Sequence, residues 1–198
     1  PCVLVTNDAS ALPFSNLSSV TSDDALAARM AIDHLMSLGH RKIAVVGGDQ
    51  SVSDTTRLRY QGCVEAFRSH GIPFHETLDY QSARFSYADG YRAAKELLAR
   101  NREFTALFAM SDVMAIGAIR ALQEAGKRVP EDVSVMGFDG LPIGNFTVPK
   151  LATVCQSVEE LAQRSLRLLM DNIQGRCQAQ HETVPVCLEW KESARRID

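Results

Sequence analysis

The sequence predicts an α/β fold: a doubly wound parallel sheet with helices on both faces. Three observations carry that expectation. Short apolar runs at residues 43–46 (IAVV), 105–109 (TALFA) and 133–136 (VSVM) are rich in large side chains and too short for helices, as strands buried on both faces are. Between them lie segments of about a dozen residues with apolar positions at helical spacing, so strand and helix alternate from residue 43 onward. Ser111 and Asp112 then follow one strand and Asp139 another, at the carboxyl ends where open parallel sheets bind their ligands.

The elements follow in order. Residues 3–6 (VLVT) read as a first strand, and residues 7–19 as a polar stretch rich in turns. Ser22 or Asp23 then caps a helix carrying Leu26, Met30, Ile32, Leu35 and Met36, which stops at Gly39. His40, Arg41 and Lys42 lead into strand 43–46, and Gly47 and Gly48 open a loop that reaches Thr56. A helix over residues 57–70 buries Leu58, Val64 and Phe67 and ends at Gly71. A weaker strand at residues 78–81 precedes Phe85 and a helix over residues 88–100, with a modest stripe of Tyr91, Ala94, Leu97 and Leu98. After strand 105–109, Asp112 opens a helix in which Val113, Met114, Ile116, Ile119 and Leu122 recur at helical spacing and Gly126 closes the run. Pro130, Glu131 and Asp132 punctuate the turn into strand 133–136. The irregular segment 140–153, with Pro142, Gly144 and Pro149, reads as a connection that leaves the lobe. Ser157 and Glu160 form a capping box, so a helix runs to about Gln174 and stops at Gly175. The last strand spans residues 183–190, where Val184, Val186, Leu188 and Trp190 alternate with Thr183, Pro185, Cys187 and Glu189 as at a sheet edge.

With 198 residues the chain can build one sizeable core or two small lobes, and its 45% hydrophobic content gives no sign of disorder. A net charge of -3 and a pI near 6.0 argue against the chain itself gripping a phosphate backbone. The basic pairs Arg41-Lys42, Lys127-Arg128 and Arg195-Arg196 read as solvated helix ends and a frayed tail. Cys2, Cys63, Cys155, Cys177 and Cys187 are odd in number and widely spaced, which signals neither a disulfide framework nor a zinc site and fits a reducing cytoplasm. His34, His40, His70, His75 and His181 lack metal-ligand spacing and read as surface or helix-end residues. There is no G-x-S-x-G, no P-loop and no dinucleotide fingerprint, so no catalytic residue, metal or cofactor is expected. No run is apolar for long enough to span a bilayer, and residues 1–5 lack the features of a signal peptide. Starting in a strand without a methionine, the chain reads as a fragment or a processed piece.

Three stretches suggest a family: HLMSLGHRKIAVVGG (34–48), FAMSDVMAIGAIRAL (108–122) and AGKRVPEDVSVMGFD (125–139). In order and spacing they resemble the ligand-binding domain of the LacI/GalR family of bacterial transcription regulators, and the resemblance runs from Pro1 to about Ser193. It implies a periplasmic-binding-protein type I-like fold of two lobes joined by three crossovers. Residues 1–19 and 149–176 would then be a partial N-terminal lobe with the crossovers, and residues 20–148 and 177–198 the C-terminal effector-binding lobe. The family's helix-turn-helix headpiece is not in this sequence.

The carboxyl-end loops offer Ser53, Thr55, Arg57, Arg59, Phe85, Ser111, Asp112 and Asp139: acceptors, a guanidinium fork and one flat apolar wall, the inventory a sugar or nucleoside requires. By matching motif, the resemblance places ligand contacts on Arg59, Phe85 and Asp139, on Ser53 and Thr55 of a Ser/Thr-rich loop, on the Ser111-Asp112 pair, and on Asp23 at the start of the first helix of the C-terminal lobe. The loops of Arg59 and Asp139 should point into the cleft and favour binding, while four of the others have a plainer reading beside it. Asp112 is first a helix N-cap, Asp23 is equally a cap, Phe85 is core and Arg57 a surface arginine. Ser111 stands where the family commonly has Asn and Gly140 where it has an acid or Asn, and Thr6 itself is no acid where sugar-binding members often carry one, which weakens the case for a sugar.

The expected function is effector binding and dimerisation in a cytoplasmic LacI-type repressor, with a sugar or nucleoside as effector, a homodimer as the assembly, and DNA bound only through the headpiece. Two other classes stand beside it, a periplasmic sugar-binding protein of a transport system and a nucleotide-using α/β enzyme.

Overall fold

A computed structural model of the chain describes residues 1–14, 16–100, 103–176 and 178–197, so Cys177 lies outside the described residues. The chain divides into two compact units, one of Pro1–Asp23 with Gln156–Val186, the other of Asp24–Cys155 with Cys187–Asp198.

The smaller unit is a parallel three-stranded sheet in the order β1 (Cys2–Val5), β2 (Leu17–Ser22) and β8 (His181–Val184). β2 lies where turns were expected from residues 17 to 19, because LSSVTS carries one large apolar side chain in its centre and its hydroxyls are spent inside the fold. Ser18 Oγ accepts from Asn172 Nδ2 and from Gln180 N, both at 3.1 Å. Ser19 Oγ, which points the other way, donates to Asp8 Oδ1 at 3.2 Å and pairs with His181 Nδ1 at 2.8 Å. Polar side chains thus stand in for the apolar alternation that signals a strand. One face is covered by α6 (Val158–Ile173), whose Leu161 and Leu168 pack on Val20 and Val184. Ser157 caps this helix, its Oγ accepting from Glu160 N at 3.3 Å.

The larger unit holds a six-stranded sheet in the order β4 (Tyr80–Ser82), β3 (Ile43–Gly47), β5 (Ala106–Ala109), β6 (Ser134–Asp139), β7 (Ala152–Gln156) and β9 (Val186–Glu189). The strands from β4 to β7 run parallel. Right-handed crossovers put α2 (Asp54–Ser69), which leads from β3 outward to β4, on one face. They put α4 (Tyr87–Ala99) and α5 (Asp112–Glu124), which lead back through β5 to β6, on the other. α1 (Asp24–Ser37) packs against α2, and α4 against α5. Both pairs touch backbone to backbone at a glycine: a Cβ on Gly62 would lie 2.1 Å from Ala25 O, and one on Gly117 2.1 Å from Tyr87 O.

Several expectations need correction. The weak strand at residues 78–81 is a short helix, α3 (Glu76–Asp79), followed by β4. The segment 140–153, expected to leave the lobe, supplies a 3₁₀ turn at Pro142–Asn145 and the start of β7, which stays in the sheet beside β6. The single strand expected at residues 183–190 is β8 in one sheet and β9 in the other, split at Pro185, which has no N–H to give to a ladder. His40 is fully buried, not a surface residue: its ring nitrogens pair with Thr105 Oγ1 at 2.9 Å and Arg195 O at 3.1 Å, and burial pushes its pKa down. Residues 193–197 are no frayed tail either. Ser193 Oγ donates to Val135 O and accepts from Ala152 N, and Ile197 N donates to Leu38 O, so the tail closes the amino ends of β6 and β7.

Candidate functional site at the carboxyl ends of β3, β5 and β6

The chain leaves β3 toward β4 and leaves β5 toward β6, so the order of strands reverses between β3 and β5 and opens a crevice at their carboxyl ends. α2 starts at that crevice. Ser53 is its N-cap, its hydroxyl accepting from Thr56 N at 3.2 Å, and Arg57 sits on the outer face paired with Asp54 at 2.9 Å, the surface role expected of it. Helical phase then carries Thr56, Arg59 and Cys63 to the buried face.

Arg59 is 5% exposed and ties four segments together. Its Nε donates to Asp24 Oδ1 at 2.7 Å, and one Nη donates to Met110 O at 2.5 Å, just past the end of β5. The guanidinium carbon lies 3.6 Å from the centroid of the Phe138 ring, and Asp139 Oδ1 is 4.0 Å from a terminal nitrogen. Such a fork, desolvated and stacked on an aromatic face, is a guanidinium geometry that a lysine cannot copy. Asp139 itself holds φ at +117°, a conformation costly for a side chain that is not glycine, and remains partly open to solvent.

The loop carrying Asp139 is held in that conformation by Asp112. Both oxygens of Asp112 are engaged: Oδ1 accepts from Thr153 Oγ1 at 2.7 Å and Oδ2 from Leu141 N at 2.6 Å. The carboxyl is fully buried, and burial raises its pKa against the opposing pull of the hydrogen bonds from Thr153, Leu141 and Gly140. Gly137 makes room for it, since a Cβ there would lie 2.2 Å from Asp112 Oδ1. Asp112 therefore does not cap α5 as expected. Ser111 does, its hydroxyl accepting from Met114 N at 3.3 Å. Asp112 is a positioning residue here, sealed from solvent.

Ser53 and Phe85 line a groove of about 750 Å³ with Gly48, Thr56, Arg84 and Asp89. Phe85 is 45% exposed and so is not core. Its ring lies over Gly48, where a Cβ would come within 2.9 Å of Phe85 Cε2 and 2.5 Å of Thr56 Oγ1. That Thr56 hydroxyl is buried and has no hydrogen-bond partner among the described residues. Asp89 stays ionised because the Ser86 hydroxyl and then Arg92 hold its pKa below the ordinary carboxylate value.

The structure thus sorts the expected residues into groups. Arg59 and Asp139 meet in one knot; Ser53 and Phe85 share the groove; Thr55 is half-buried in the first turn of α2; Ser111 and Asp112 lie buried after β5. Asp23 is exposed, and the acid that opens α1 and meets Arg59 is its neighbour Asp24. Sequence reasoning passed over Asp24, Thr153 and Phe138. A lone threonine in the buried run ATVCQ was the one visible signal, since a buried hydroxyl needs a partner.

An open parallel α/β unit with a guanidinium–carboxylate knot and a groove with an aromatic wall at its strand ends has the form in which small molecules are bound. The chain belongs to the periplasmic binding protein-like domain family, whose pattern matches residues 32–194. Its relatives are LacI-type transcription regulators. It is 38% identical over 165 residues to the HTH-type transcriptional regulator CelR of Thermobifida fusca, covering 83% of this chain and 48% of that one. Among solved structures it is similar to a complex of the transcriptional regulator CelR with cellobiose (TM-score 0.90, 33% identity, 98% of this chain and 58% of that one). It is also similar to a LacI family regulator from Enterococcus faecium with bound ribose (TM-score 0.89, 32% identity, 100% and 72%). The chain spans about half the length of the curated relatives it matches. Among the described residues, no helix is long and apolar enough to cross a membrane.

Proposed function

We propose that this chain is most of the effector-binding and dimerisation module of a LacI-type repressor, that its effector is a sugar or nucleoside, and that it performs no catalysis. The observation that carries the reading is the rim itself. Arg59, anchored by Asp24, stands beside a partly open Asp139, and the loops after β3 and β4 carry a groove with an exposed Phe85. A polyol offers hydroxyls to the charged groups and a C–H face to the ring. That two similar proteins are complexes with cellobiose and with ribose supports a sugar, and that the relatives are regulators favours transcription control over transport. Ligand contacts that differ between two states of the domain would then change the DNA affinity of a headpiece.

Calorimetric titration of the whole protein with a panel including ribose, cellobiose and nucleosides is expected to give saturable binding to at least one member. Phe85→Ala should weaken that binding roughly tenfold, the value of one aromatic contact. Silence across the panel would count against the effector reading.

Pairing with a second copy is supported by an apolar surface in and after the 3₁₀ turn, where Ile143, Phe146 and Val148 are exposed, Phe146 by 81% and Val148 by 86%. Sedimentation of the wild type should report a dimer that Phe146→Glu converts to monomer; a monomeric wild type, or a variant that stays dimeric, refutes this surface.

A further inference from the structure

We propose that Cys155 and Cys187 are a reversible redox pair, a thiol–disulfide site on the two strands by which the chain leaves the larger unit and returns to it. Cys155 is the last residue of that unit before the segment Gln156–Val186, and Cys187 is the first after it. They lie on β7 and β9, which are hydrogen-bonded neighbours, and β9 is the edge of its sheet. The Cys155 thiol is hydrogen-bonded to the Glu189 side chain, and Cys187, two residues before Glu189 on the same strand, shares its face. Cys187 is exposed and Cys155 half-buried.

The two thiols are unequal in a way that sets the order of events. Burial, together with the charges of Glu189 and Cys187, pushes the Cys155 thiol up to about 12, so it is not the first to react. The exposed Cys187 thiolate attacks one sulfur of a small disulfide such as oxidised glutathione: a Cys187–glutathione bond forms, the glutathione S–S bond breaks, and one glutathione thiolate leaves and takes up a proton. Glu189 then accepts the Cys155 proton as Cys155 Sγ attacks Cys187 Sγ, expelling the second glutathione, which takes up that proton. Two cysteine thiols have been oxidised by two electrons and one disulfide reduced to two thiols. A small dithiol reverses the sequence.

The bond would staple the exit and return strands at a place that bears on the rim. Cys155 is the register partner of Asp139 on β6, and a Cβ on Gly140 would come within 2.7 Å of Cys155 Sγ. Any effect of oxidation on effector binding rests on the function proposed above; the pairing of the cysteines does not.

The test is a non-reduced tryptic map of the native chain after exposure to oxidised glutathione. The expected product is residues 151–164 joined to residues 177–191, lighter by two hydrogens, released by dithiothreitol, retained in Cys177→Ser and lost in Cys187→Ser. Glu189→Gln should leave capture of the first glutathione unchanged and slow closure roughly tenfold or more, so that the mixed disulfide accumulates. A link from Cys187 to Cys2 or Cys177, a stable glutathione adduct on Cys187 with Cys155 still free in the wild type, or no reaction at either cysteine overturns the proposal.

Discussion

Replacing Arg59 with methionine is expected to destabilise the larger unit by about 3–5 kcal/mol, the usual cost of removing one partner from a buried ion pair. The reason is what the substitution leaves behind. Asp24 is 5% exposed, and without the guanidinium its carboxylate would be a desolvated charge deprived of that partner. Met110 O would lose its donor and the Phe138 ring the planar cation stacked on it. Urea denaturation followed by circular dichroism at neutral pH reads the effect. Methionine keeps most of the side-chain volume, so the loss is one of charge and hydrogen bonding more than of packing. Adding Asp24→Asn should restore part of the loss, because the stranded charge goes with it. A single-variant change below about 1 kcal/mol would show that Arg59 is not the tie described here, since that is the worth of an ordinary surface pair.

Asp112→Ala should cost about 2–4 kcal/mol, because it takes the better acceptor from the buried Thr153 hydroxyl and the acceptor from the half-buried Leu141 N–H. It should also loosen Asp139, whose strained backbone depends on that loop being pinned. A variant that weakens effector binding far more than its stability loss requires would place Asp112 in contact with ligand, contrary to its burial. The companion variant Asp112→Asn tests the electrostatics. Burial raises the folded-state pKa of Asp112 above the ordinary 3.8, so the folded state holds this proton more tightly than the unfolded chain. The carboxyl therefore costs the fold nothing in acid below the unfolded value, and its cost grows as pH rises through the folded value. The stability of the wild type relative to Asp112→Asn should accordingly fall as pH rises above the ordinary carboxylate value and level off once pH has passed the raised folded value. Parallel pH profiles for the two proteins would remove the basis for this reading.

The sequence was a good guide wherever a single segment carries its own signal. Helical spacing located α1, α2, α4, α5 and α6 to within a few residues, because an amphipathic stripe is written in one stretch of chain. β3, β5 and β6 were legible for the same reason, as they are buried on both faces. β2 was not: its buried positions are mostly serines, and nothing local tells a serine that will meet Asn172 or His181 from one that will face water. Asp23 and Asp24 illustrate the same limit at the site. As adjacent acids at a helix start they are interchangeable on paper, and only the direction of α2, which brings Arg59 to one of them, decides which is buried.

By itself the sequence determined the class of fold, the order of its main elements and the set of loops from which a binding rim would be built, since each depends on periodicity and punctuation within short spans. Tertiary structure alone decided the rest: that Arg59 is clamped by Asp24, that Asp112 is sealed against Thr153 and serves Asp139, that residues 193–197 close the foot of the sheet, and that the strand of Cys155 lies beside the strand of Cys187. Each of those pairs joins residues distant in the chain, and a hydrogen bond or a buried charge is specified by the position of its partner, which residue order does not encode until the chain has folded.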